Sequence, residues 1–152
     1  MGKCTVRRVV LMPFTTNCYL ITNEDTKETL IVDPSIEHEK IDAQIAAHGL
    51  KPVAILLTHG HFDHILLVPQ FKAAHGDIPI YGGRDEVPMF TDASMNGSAR
   101  VGFPAEFMPD IFLDDGEELE LAGFKIRVIA TPGHTEGSSC FYLREQDSPA
   151  KG

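Results

Sequence analysis

The segment 56–65, LLTHGHFDHI, ends a continuous apolar run and then sets His59, His61, Asp63 and His64 within six positions. In an extended segment alternate side chains point the same way, so His59 and His61 can aim at one point while Asp63 and His64 come round the turn beyond them. Packing gives no reason for such crowding, because each buried polar group would need its own partner. The residues before it, KPVAILLTHG at 51–60, are an unbroken apolar run bounded by Pro52 and Gly60. That pattern predicts a strand covered on both faces in a mostly parallel sheet. Ligands in layered folds collect where loops leave the carboxyl ends of such strands, so the stretch reads as a metal-binding loop.

Upstream, segments rich in Val, Ile and Tyr at 6–11, 17–22 and 29–32 are separated by PFTTN and NEDTKE and predict consecutive short strands. In DPSIEHEKIDAQIAAHGL, Ser35 can cap a helix, Ile41 and Ile45 recur at helical spacing, and Gly49 suits the left-handed position after its end. Strand, helix, strand is a crossover unit. Past the histidines, Pro69 suits the first turn of a short helix, and IPIYGG at 78–83 predicts another buried strand. Residues 84–110 show no clear period and are expected to form one short helix and a long loop, a natural cover over a site. From 111 onward the order is strand, Asp-Gly turn, strand, Gly turn, strand, in antiparallel hairpin style, and SSCFYL adds one more strand. The expectation is one domain over 1–152, a layered α/β or α+β fold with helices outside two sheets.

Composition narrows the function classes. A chain of 152 residues, 43% apolar and 23% charged, has an ordinary globular balance. The net charge of -9, with 13 basic residues against 22 acids, argues against nucleic acid as a partner. No stretch approaches the roughly 20 apolar residues that span a bilayer, and the N-terminus lacks an apolar signal region, so no membrane role and a cytoplasmic location are expected. Met-Gly at the start suggests myristoylation, but that motif wants Ser or Thr where Val6 stands. Cys4, Cys18 and Cys140 form no paired spacing and read as buried or half-buried small side chains.

Two imidazoles need a third ligand from elsewhere, and TPGHTEGSS at 131–139 offers His134 after another strand. Three neutral imidazoles with an open fourth position form a catalytic rather than a structural zinc pattern. Asp63 and His64 are left for a second cation, and Asp63 could also accept the proton of an attacking water. His38, His48 and His75 lie in or beside predicted helices and read as ordinary helix residues.

The run THGHFDH resembles the HxHxDH signature of the metallo-β-lactamase superfamily. TPGHTEGSSCFYL is similar to that family's third-histidine loop, and NCYLI, LIVDPS and LDDGEELELAGFKIRVIATPGHT are similar to its other landmarks, in order. The small hydrolases related to glyoxalase II, which cleave thioesters such as hydroxyacylglutathione, are nearest in flavour. The resemblance implies a four-layer αββα sandwich, with His59, His61 and His134 on a first metal and Asp63 and His64 on a second. Asp33, in VDPS, matches a position near the site and also suits a turn or helix start. Ile65, Leu66 and Leu67 stand where family members usually carry small glycines after the last histidine of the motif.

Family members also continue to a bridging aspartate and a last histidine for the second metal, and residues 144–152 offer no replacement. The chain is therefore expected to be the N-terminal portion of an αββα domain, incomplete at its C-terminus. One metal, zinc with iron or manganese as alternatives, should be well held and the second weakly held. The expected function is a metal-dependent hydrolase that uses metal-bound hydroxide on a small-molecule thioester or related ester-like carbonyl. The alternatives are a metal-binding remnant with little catalysis, or an activity of the persulfide-dioxygenase or lactam-opening kind. Self-association through an exposed sheet is expected as well.

Overall fold

The computed structural model describes residues 4–131 and 139–145. Its first sheet has six strands in chain order, β1 (Cys4–Leu11), β2 (Thr16–Asn23), β3 (Glu28–Val32), β4 (Lys51–Leu56), β5 (Ile80–Gly83) and β6 (Ile111–Leu113). The first three pair antiparallel, and β3 through β6 pair parallel. A second sheet holds β7 (Glu118–Leu121), β8 (Phe124–Ala130) and β9 (Ser139–Glu145), all antiparallel.

Alternation along the central strands sorts side chains into two cores, as the period of two requires. Leu20, Ile31, Ile55 and Ile80 face a helical layer, where they meet Ile41 of α1 (His38–His48), and Val68 and Phe71 of α3 (Val68–Ala74). Their neighbours Ile21, Leu30, Val32, Ala54, Leu56 and Tyr81 face the second sheet and meet Phe124, Ile126 and Val128 of β8. Burying a side chain the size of Phe71 or Ile55 contributes roughly 1.5–3 kcal/mol. The central strands are therefore apolar on both faces, which is why KPVAILL shows no alternation in sequence. These layers, helices, sheet, sheet, are three of the four expected of an αββα sandwich. The outward residues of β8, Lys125, Arg127 and Ile129, are exposed, and no helix among the described residues covers them.

Four expectations are corrected. Ser35 does not cap α1: the cap is Glu37, in the left-handed region at φ 50°, without a side-chain hydrogen bond. Ser35 is buried and holds the segment after His64, its Oγ accepting from Leu66 N at 3.2 Å and its carbonyl from Leu67 N at 2.8 Å. The strand at 111–113 pairs parallel with β5 and belongs to the first sheet, while the antiparallel hairpin begins only at β7. Residues 84–110 hold two short helices, α4 (Val87–Thr91) and α5 (Ala93–Asn96), with 3-10 turns at 84–86 and 98–101, rather than one helix and a loop. Of the cysteines, Cys18 is buried as expected, but Cys4 and Cys140 are exposed. No helix among the described residues is long and apolar enough to cross a membrane.

Candidate metal centre

Asp33 directly follows β3, and the loop 57–61 directly follows β4, its parallel neighbour. Both therefore leave the sheet at the same carboxyl edge. Asp33 adopts φ 53° and is 2% exposed, so its side chain turns back into the molecule. One oxygen accepts from Thr58 N at 3.0 Å; the other accepts from Thr58 Oγ1 at 2.6 Å and from His64 Nδ1 at 2.7 Å.

These bonds determine the tautomers of two rings. Thr58 has one hydroxyl proton and donates it to Asp33, so toward His59 Nδ1, at 3.1 Å, it accepts. His59 and His64 both carry their proton on Nδ1, which leaves the Nε2 lone pairs for a ligand. The rings lie close, with centroids 4.1 Å apart for His59 and His64 and 5.2 Å for His59 and His61. His64 and Asp63 stand on the one-turn helix α2 (Phe62–Ile65), where His64 Nε2 is 3.6 Å from Asp63 Oδ2. Thr16 Oγ1 donates to the same oxygen at 3.3 Å.

Burial disfavours the charged form of His64, but the hydrogen bond and charge of Asp33, with Asp63 adding, outweigh it and raise the pKa above the usual histidine value. Two carboxylates around one imidazole favour positive charge there, and a cation answers that field as well as a proton does. The donor set, imidazole nitrogens with one carboxylate, fits zinc, iron or manganese. His59, His61, Asp63 and His64 are brought together pairwise, yet among the described residues no three His, Cys, Asp or Glu side chains form a group that could hold an ion. The third expected ligand of the first metal, His134, lies outside the described residues. The start of β9 is tied to this loop, because Ser139 N donates to Thr58 O at 2.8 Å.

Sequence reasoning missed Glu86. This acid is 1% exposed in the first turn after β5, and its Oε2 accepts from Gly60 N at 2.6 Å, between the two histidines of the loop. A β-carbon at Gly60 would stand 2.6 Å from Met89 Cβ, so only glycine admits α4 this close. Gly97, at φ +90°, also lies close on Phe62, where a β-carbon would stand 2.9 Å from the ring. Residues 84–103 thus form a cap pressed onto the histidine loop. Nothing in RDEVPMF signals this, since a lone acid in an aperiodic stretch looks solvated. His38, His48 and His75 stand apart from the cluster: His38 reaches the Pro34 carbonyl, His75 pairs with Asp42 at 2.9 Å, and His48 closes α1.

A family model for the metallo-beta-lactamase superfamily matches residues 11–147. A probable metallo-hydrolase, YqgX of Bacillus subtilis, is 38% identical over 143 residues, covering 93% of this chain and 66% of the relative. The hydroxyacylglutathione hydrolase GloC of Haemophilus influenzae is 35% identical, with 88% and 63% covered. Among solved structures, the BLEG-1 B3 metallo-beta-lactamase superposes with TM-score 0.82 at 35% identity, over 91% of this chain and 66% of that one. The chain thus spans just under two thirds of the length of the curated relatives it matches.

Proposed function

Because the chain belongs to the metallo-beta-lactamase superfamily, we propose that it carries the histidine half of a hydrolytic site acting on thioesters or related ester-like carbonyls. The observation that carries this reading is the Asp33–Thr58 pair, which engages Nδ1 of both His59 and His64 and so presents two imidazole Nε2 atoms as donors. The thioester preference draws on the likeness to GloC. His59, His61 and His134 would hold a first divalent ion, and Asp63 with His64 a second. When bound, such an ion supplies Lewis acidity, which lowers the pKa of a water and polarises a carbonyl.

The chain's own residues do the positioning. Asp33 locks the His64 ring, Thr58 locks His59, and Glu86 pins the Gly60 amide so that the loop between the two histidines keeps one shape. Asp63, half-buried and steadied by Thr16, would take a proton from the attacking water. The cap shields the loop from bulk solvent, which strengthens each of these interactions.

The test is hydrolysis of a simple thioester with zinc, manganese or iron added, comparing the chain with His59→Ala. A metal-dependent rate that the substitution abolishes is expected, and equal rates for both proteins would remove the hydrolase reading. Lactam opening is the second reading, favoured by the likeness to BLEG-1. Faster turnover of a chromogenic cephalosporin than of any thioester would establish it instead.

A further inference from the structure

An open cleft of about 200 Å³ has as its walls Phe14, Ile36, Leu66, Leu67, Val101 and Phe103, drawn from the segments around the histidine loop and from the cap. All six are apolar. Four of them come from segments that also carry the site. Phe14 stands two residues before Thr16, the donor to Asp63, and its ring meets Phe62 edge-on at 5.0 Å. Ile36 lies three positions after Asp33, while Leu66 and Leu67 lie two and three after His64. The remaining two, Val101 and Phe103, come from the cap. Phe14, Val101 and Phe103 are 37%, 43% and 46% exposed, and they share one cleft instead of standing singly, which is the case in which exposed apolar surface is informative.

We propose that this cleft is the acyl-chain subsite of the hydrolase, and that the substrate is a thioester of an unbranched alkyl acid rather than of a small hydroxy acid. The inference rests on the hydrolytic reading above and adds to it the chemistry of the acyl group. A hydroxyl on the acyl group would gain no hydrogen bond from the cleft, since no polar side chain lines it. An alkyl chain needs only apolar walls. At about 30 Å³ per methylene, similar to the volume share of a water, the cleft holds on the order of six carbons. Leu66 and Leu67 matter most to this choice, since two glycines at their positions would leave the near wall without side chains.

The experiment uses the zinc-loaded full chain and a series of acetyl, butanoyl, hexanoyl and octanoyl thioesters of N-acetylcysteamine, monitored by release of free thiol. The value of kcat/KM should rise about three- to fourfold per methylene up to hexanoyl, the equivalent of roughly 0.8 kcal/mol each and on the order of 100-fold from acetyl, and level off at octanoyl. In the double variant Val101→Ser with Phe103→Ser, the hexanoyl-to-acetyl ratio should fall below about tenfold. Both positions are exposed, so the fold does not depend on them. A flat series, or a slope unchanged in the double variant, overturns the inference.

A second arm separates it from the hydrolytic reading. S-octyl N-acetylcysteamine, a thioether that keeps the acetamide but has no thioester carbonyl to cleave, is titrated calorimetrically into both proteins. If no thioester turns over but the thioether binds the parent chain and not the double variant, the subsite stands and the hydrolase reading falls. If neither turnover nor thioether binding occurs, the subsite is refuted.

Discussion

Replacing Asp33 by Asn removes charge without changing shape, and the loss should reach two histidine rings at once. The carboxylate accepts three hydrogen bonds, two of them on one oxygen, from Thr58 Oγ1 and His64 Nδ1. An amide has one acceptor oxygen. If that oxygen faces the hydroxyl and the imidazole, its NH₂ meets the Thr58 amide, donor against donor. Turned the other way, the NH₂ faces His64 Nδ1 and forces the ring proton onto Nε2, where the lone pair is needed. The first arrangement leaves a buried donor unsatisfied, at about 1–3 kcal/mol; the second keeps every group paired but turns the tautomers of both His64 and His59. At about 2–4 °C per kcal/mol for a chain of this size, the melting temperature should fall by ~2–12 °C in the first case. Outer partners of metal-binding histidines typically govern affinity by about 10–100-fold, so zinc binding, measured by competition with a chromophoric chelator, should weaken within that range. Unchanged zinc affinity together with an unchanged melting temperature would refute the assignment of tautomers.

Other consequences can be checked directly. Glu86→Ala strands the Gly60 amide and should lower stability by about 1–3 kcal/mol in urea titration, whereas Glu86→Gln keeps an acceptor and should lose less; equal loss in both would mean that the bond to Gly60 does not matter. Cys18 is fully buried, and burial pushes its thiol pKa up, with the nearby Asp33 charge adding, while Cys4 and Cys140 are exposed. Native protein should therefore react quickly with two equivalents of a thiol reagent, and a third reacting at the same rate would contradict that burial. Among the described residues β9 has no partner on its outer side. Self-association that grows with concentration in sedimentation is expected, and a monomer throughout would count against it.

How much could be read from the sequence depended on the physics behind each part. The strands flanking the histidines were legible because burial on both faces demands an unbroken apolar run, which KPVAILL displays. The loop stood out because three imidazoles and an acid within six positions have no packing rationale. Ser35 was misread because a serine before a helical period looks like a cap, and its real partners, Leu66 N and Leu67 N, are about thirty residues away. The role of Asp33 stayed ambiguous for the same reason: its partners Thr58 and His64 are joined to it only by the pairing of β3 with β4. Strand 111–113 was misassigned because a three-residue strand carries no register of its own, and its place was decided by Tyr81, Gly82 and Gly83 across the sheet.

The cap leaves the sheet after β5 and returns at β6, neighbouring strands of the same sheet. It is therefore a single excursion of the chain with two closely spaced anchors. None of His59, His61, Asp63 and His64 belongs to it, and Glu86, in its first turn, holds the Gly60 amide between the first two of them. Residues 87–110 could accordingly be exchanged for the corresponding stretch of a relative without cutting any segment that bears those four donors. Such an exchange would replace Val101 and Phe103 while leaving the sheet and the histidine loop as they are.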